Sequence, residues 1–202
     1  MREIVQYPDP ILKKIARPVT DEELRAGNIN GMILNTLIEE MTELMSGRNR
    51  GIGLAAPQVG ESIRLILVQP SQNSTAMALF NPEIVESSGK EEAWEGCLSL
   101  PGIGVLVKRP TSIKVKAKSL SGEDIEFPAN GLFARVIQHE VDHLDGILII
   151  TRGNITNNRK IGKQLAELEK TYRMWAPKKK AMEERAAKAA AEEKKQRESA
   201  SA

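Results

Sequence analysis

The chain carries only two histidines in 202 residues, and they stand four apart in Gln138-His139-Glu140-Val141-Asp142-His143-Leu144-Asp145-Gly146. On an α-helix that spacing places His139 and His143 on one face, one turn apart, so both imidazoles can reach a single metal ion. Glu140, beside the first of them, projects near the open coordination position, where a carboxylate can take a proton from metal-bound water, as in H-E-x-x-H hydrolases. The bland alternative is a chance helix surface. A catalytic metal ordinarily keeps three protein ligands and one open position, so this pair requires a third donor brought back to the helix from a distant segment.

The single cysteine, Cys97, excludes an internal disulfide and lies in Glu95-Gly96-Cys97-Leu98-Ser99-Leu100-Pro101-Gly102. A lone cysteine is either a small buried hydrophobe or a thiolate with a task. Gly96 permits close backbone approach and Pro101-Gly102 forces a turn. A thiolate suits Zn²⁺ or Fe²⁺ and is deprotonated by the ion it binds, so beside an unfilled two-histidine site the ligand reading is favoured. A third segment, Gly51-Ile52-Gly53-Leu54-Ala55-Ala56-Pro57-Gln58, is rich in small residues. It lacks the third glycine of a dinucleotide fingerprint and the Gly-Lys-Ser/Thr of a phosphate loop, which argues against a nucleotide cofactor. Gln58 is either an ordinary structural amide or a donor to a developing oxyanion.

Around these motifs the pattern is α+β. Ile33 to Met45 has helical periodicity after an Asn28/Asn30 capping region, with Gly47 as a stop, and a loop with Arg48 and Arg50 follows. Short strand candidates run over 63–68, 77–80, 84–86, 105–107, 113–117 and 125–127, with a hairpin turn at Ser121-Gly122. Ile161, Leu165, Leu168, Tyr172 and Trp175 form the stripe of an amphipathic helix packed on a body and ending near Pro177. The expected architecture is antiparallel strands packed around a central metal-binding helix, with an N-terminal helix and a C-terminal helical extension.

The expected organisation is a catalytic domain over residues 1–152, a packed amphipathic helix over 153–176 and a charged low-complexity tail over 177–202. Charge divides accordingly: 16 Lys+Arg against 20 Asp+Glu through Arg152 gives −4, and 13 against 7 beyond it gives +6. The tail reads as a solvated helix or as a basic surface that meets nucleic acid. No apolar run approaches the roughly 20 residues of a membrane span, and MREIVQYPDP lacks the apolar core and cleavage site of a secretory signal. The expected location is cytoplasmic, with no membrane partner.

In this order and with these separations, GIGLAAPQ, EGCLS and QHEVDHLDG resemble the three signature motifs of the peptide deformylases, over about residues 5–152. The resemblance implies a metal-dependent amidase that removes the formyl group from N-terminal formylmethionine of nascent polypeptides and releases formate. It implies Cys97, His139 and His143 as metal ligands and Glu140 as general base, then general acid. Gln58 and the Leu98 N–H become oxyanion donors. Ile52 and Gly53 become main-chain partners of an extended peptide, with Gly96 also on the substrate side. Val136 and the stem of Arg135 line the methionine pocket.

The implied metal is one divalent ion, Fe²⁺ in the cell, with Zn²⁺, Ni²⁺ or Co²⁺ able to substitute. Glu95 is open to two readings, a partner for Arg109 behind the ligands or a solvent-exposed charge. Asp142 is either an acceptor for a ligand imidazole or a carboxylate facing water. Arg50 replaces an acidic residue frequent before the first motif, and Thr151 an Asp frequent before Arg152. Two competing classes remain. One is a general H-E-x-x-H metallopeptidase, which would ordinarily use a third His or Glu. The other is a ribosome-associated module acting through the basic arm, which is compatible with the enzyme.

Overall fold

Four consecutive apolar residues, Leu65–Val68, form a strand (β4) buried on both faces. Side chains alternate across a strand, so Leu65 and Leu67 enter one core cluster while Ile66 and Val68 enter another. This computed structural model describes residues 2–47, 51–70, 74–153 and 160–177. The loop with Arg48 and Arg50, and the tail beyond 177, lie outside the described residues.

β4 belongs to an antiparallel five-stranded sheet with β3 (Gly53–Ala55), β5 (Met77–Ser88), β8 (Ser112–Lys118) and β9 (Asp124–Asn130), in the order β3-β4-β5-β8-β9. Helix α2 (Leu34–Ser46) covers one face, burying Leu34, Leu37, Met41 and Met45 at spacings of three and four. Each such burial contributes about 1.5–3 kcal/mol. Helix α3 (Gly131–Leu144) covers the other through Ala134, Val136, Ile137 and Leu144. Outward on β8, Lys114, Lys116 and Lys118 pair with Glu126, Glu86, Asp124 and Asp21. A ribbon of β6 (Glu91–Gly96) and β7 (Gly104–Arg109) closes α3 from outside.

Several expectations are refined. The strands expected at 77–80 and 84–86 are one strand, irregular after Phe80, where Asn81 adopts φ 49. Asn28 and Asn30 do not cap α2, which begins after Ile33 without a side-chain cap. Asn30 lies instead in the turn of a small hairpin, β1 (Asn28–Ile29) with β2 (Met32–Ile33), and the side chain of Asn28, the first residue of β1, accepts the Gly31 N–H at 2.8 Å. Helix α1 (Asp21–Ala26), absent from the periodicity reading, carries a Thr20/Glu23 capping box and Gly27 in the left-handed region. Residues 160–177 are helical (α5), beyond the short α4 (Ile149–Arg152). Ile161, Leu165 and Leu168 pack on the core as expected, but Trp175 is 65% exposed.

Candidate active site

Alternation along β6 turns Glu95 inward and Trp94 outward, and the strand ends at Gly96. The chain then turns: Leu100 N–H donates to the Cys97 carbonyl at 3.0 Å, Ile103 N–H to the Leu100 carbonyl at 3.1 Å, and Gly102 takes φ 74. This turn delivers Cys97 to the face of α3 that carries both histidines. Ligating atoms of Cys97, His139 and His143 lie within 4.8 Å of one another, with Cys97 Sγ 3.2 Å from His143 Nε2. The sulfur and the imidazoles thus come together from segments more than 40 residues apart.

The charges behind this triad are organised by Glu95. Arg109 grips its carboxylate with two bonds, at 2.7 and 2.9 Å, Arg135 adds one at 2.7 Å, and His139 Nδ1 lies 3.0 Å away. Burial opposes the charge on Glu95, but hydrogen bonds from His139, Arg109 and Arg135 hold its carboxyl down at about 2. Of the two readings for Glu95, the buried partner of Arg109 is the one realised. Asp142 does not accept from a ligand imidazole. It turns to Arg109 at 2.8 Å and to Arg152, because Glu95 already occupies the histidine side of Arg109. Arg135 and Asp142, on the side of α3 away from the sheet, are buried against the opposite charges of Glu95, Arg109 and Arg152.

Two polar atoms in this centre have no partner among the described residues, His143 Nδ1 and Glu140 Oε2. Glu140 is 4% exposed, and burial pushes its carboxyl up to about 7 against the pull of His139 and Arg109. Burial lowers His139, yet hydrogen bonds to Cys97 and Glu95 outweigh it and raise the group to about 10. His143 is pushed well below its ordinary value by burial and by the charges of His139 and Arg109. Cys97, His139 and His143 thus offer one sulfur and two nitrogens within 4.8 Å of one another, a donor set that fits a divalent metal such as Zn²⁺ or Fe²⁺.

Above the triad opens a pocket of about 660 Å³, lined by Ile52, Gly53, Gln58, Gly96, Leu98, Arg135, Val136, His139 and Glu140 among others. The Gln58 side chain is oriented from both ends: its oxygen accepts the Ala55 N–H at 2.9 Å, and its amide nitrogen lies 3.3 Å from Ser99 Oγ and 3.5 Å from Cys97 Sγ. The Leu98 N–H has no acceptor among the described residues. Gly53 has no room for a side chain, since a Cβ there would collide with the Glu140 carboxylate and Val136. Arg135 contributes its stem, while its guanidinium bonds Glu95 and the carbonyls of Val107 and Glu91. Sequence reasoning missed Trp94, Leu132 and the Leu100–Gly104 turn as lining residues. The outward-inward alternation of Trp94 and Glu95 was the available signal.

The family model described as polypeptide deformylase matches residues 1–159. A peptide deformylase from Dictyoglomus thermophilum is 49% identical over 154 residues, spanning 75% of this chain and 92% of the relative. The crystal structure of peptide deformylase from Thermotoga maritima superposes with a TM-score of 0.68 at 42% identity, covering 76% of this chain and 98% of that one. One from Legionella pneumophila gives 0.71 at 37% identity, covering 87% and 98%. With the convergent sulfur and imidazoles and the buried glutamate already in place, these matches establish that the chain belongs to the polypeptide deformylase family.

Proposed function

We propose that this pocket removes the N-formyl group from formylmethionyl peptides by hydrolysis, with the roles divided as follows. Cys97, His139 and His143 hold the divalent metal, which when bound supplies Lewis acidity to the formyl oxygen and lowers the pKa of water. Glu140 takes a proton from the attacking water as its oxygen adds to the formyl carbon. It returns that proton to the amine nitrogen as the C–N bond breaks, leaving formate and a free amino terminus. The Gln58 amide and the Leu98 N–H donate to the oxyanion of the tetrahedral intermediate. β3 is an edge strand of its sheet, so Ile52 and Gly53 offer main-chain groups to an extended peptide running past Gly96. The methionine side chain lies against Val136, Leu132 and the stem of Arg135.

The observation that carries this reading is the buried, unpartnered Glu140 oxygen beside three convergent ligands at the floor of a pocket open to a peptide. The test is formate release from formyl-Met-Ala peptides by wild type and Glu140→Gln. The variant should keep its metal, measured by elemental analysis, and lose turnover by about 10²–10⁴-fold. Cleavage of internal peptide bonds without formate would replace this reading with a general metallopeptidase.

Fe²⁺ is the proposed cellular metal, because a thiolate with two imidazoles accepts it; oxygen-sensitive activity tests the choice, since ferrous ion and its thiolate ligand are oxidisable. The site of action follows the substrate, nascent chains in the cytoplasm. The proposed catalytic unit is 1–152, followed by 153–176, whose described part from residue 160 is a helix packed on the core, and by the charged sequence 177–202. Carrying +3, half of the +6 beyond Arg152, that arm meets ribosomal RNA. Deleting 177–202 should then weaken salt-dependent cosedimentation with ribosomes and leave small-peptide turnover unchanged.

A further inference from the structure

The segment Val5–Tyr7 precedes every helix and strand, yet each of its residues bonds a backbone carbonyl in a segment that carries a site residue. Val5 N–H donates to the Gln58 carbonyl at 2.7 Å, Tyr7 N–H to the Ser99 carbonyl at 2.9 Å, and the Gln6 side-chain amide to the Leu98 carbonyl at 3.1 Å. Gln58 and Leu98 are the two residues assigned to the oxyanion. Gln6 Nε2 also lies 3.4 Å from the Ile4 carbonyl, so two acceptors fix which end of the amide faces them. Its oxygen is buried with no partner among the described residues. An orphaned acceptor is unfavourable, and a residue kept despite it warrants a reason.

The reason lies in how Leu98 is held. The peptide plane that contains the Leu98 N–H also contains the Cys97 carbonyl, which the Leu100 N–H restrains. The next plane contains the Leu98 carbonyl, which Gln6 restrains. Both planes hinge on the Leu98 Cα, so releasing the Leu98 carbonyl removes one of the restraints on the direction of the free N–H. The Val5 and Tyr7 bonds are main chain and survive any side-chain replacement. Gln6 supplies the one bond of the three that substitution can remove.

We propose that Gln6 is a positioning residue for deformylation, aiming the Leu98 N–H at the developing oxyanion by holding the Leu98 carbonyl. The inference rests on the oxyanion roles given above. Oxyanion donors act only at the position the charge will occupy, so misdirection lowers kcat and leaves ground-state binding intact.

The experiment uses full-length, metal-loaded protein and a formyl-Met-Ala peptide. Gln6→Met keeps the length of the side chain and removes its N–H. It should lower kcat about tenfold with KM and Tm unchanged, and Gln6→His, which retains an N–H at similar reach, should recover most of the loss. Gln58→Ala tests the underlying roles separately and should lower kcat about 100-fold or more. If Gln58→Ala loses kcat and Gln6→Met does not, the oxyanion roles stand and Gln6 positions nothing. If Gln58→Ala keeps wild-type kcat, the roles and this inference fall together. A kcat loss that follows a fall in Tm and is not recovered by His assigns Gln6 to the fold alone and overturns the proposal. Should Gln6→Met not fold, Gln6→Glu sets an acceptor against the Leu98 carbonyl at nearly unchanged shape and is read the same way.

Discussion

Glu95 is the residue on which most of the site's electrostatics converge, since its two oxygens serve Arg109, Arg135 and His139 together. Glu95→Gln keeps the shape and removes the charge, leaving the buried Arg135 guanidinium without its carboxylate and Arg109 with Asp142 alone, which it shares with Arg152. Breaking a buried ion pair from one side costs about 3–5 kcal/mol, so the urea midpoint should fall accordingly. The orientation of His139 is lost as well, and metal affinity measured against a competing chelator should drop about 10–100-fold. A variant with wild-type midpoint and metal affinity would return Glu95 to the surface-charge reading. Two glycines make a sharper contrast. At Gly53 a methyl group would meet Glu140 and Val136, whereas at Gly96 it would meet nothing within 4 Å. Gly53→Ala should therefore cost about 100-fold or more in kcat by displacing Glu140, the proposed proton carrier. Gly96→Ala should keep kcat and raise KM by crowding the pocket it lines. Equal effects in steady-state kinetics would break the distinction.

Between elements, local signals reached far but not across the chain. The helical spacing of α2 and α3, the stripe of α5 and the hairpin at Ser121-Gly122 are short-range features, and they were legible because 3.6- and 2-residue periods survive any tertiary context. β6 was not, since Glu91, Glu92 and Glu95 hide the alternation of a strand whose buried face is charged. The Gln6 and Tyr7 contacts were not either, because they join residues 90 or more apart. The docking of α5 shows the same limit. Tyr7 donates to Glu169 at 2.9 Å and Tyr172 to Asp9 at 3.2 Å, a reciprocal pair of bonds between α5 and the first segment. These are the only two tyrosines in the chain. Burial first, and then the facing carboxylate, raises both above the ordinary 10.0. A group raised on folding contributes stability that is complete below its unfolded pKa and disappears as pH climbs through the folded value. Stability from α5 docking should hold to about pH 10 and decline above it. Tyrosinate absorbance followed against pH should show both midpoints above 10.0 in the folded protein. Midpoints at the ordinary value would mean that α5 is not held by these bonds.

For the whole molecule, the pocket is the point where three separate cores meet: Leu98 packs on the α2 cluster, Ile52 on the α3 and sheet cluster, and Cys97 on the cluster of Leu12, Leu100, Ile103 and Ile149. No single element could have revealed the site, because its ligands sit on two bodies that only the complete packing brings together. A metal held by Cys97 and the α3 histidines, as proposed above, would tie the third cluster to the second. An ion bound at 100 times its Kd stabilises the fold by about 2.7 kcal/mol, and for a chain of this size each kcal/mol moves Tm by about 2–4 °C. Chelating the metal from the loaded protein should lower Tm by about 5–10 °C. The loosening should be local: hydrogen exchange should quicken over the Cys97–Ile103 turn and the second half of α3, while Leu34–Met45 of α2, locked on β4 by apolar contacts alone, keeps its protection. Uniform acceleration would mean that the cluster boundaries do not govern how the molecule opens, and an unchanged Tm would mean that Cys97 is not joined to α3 through the ion.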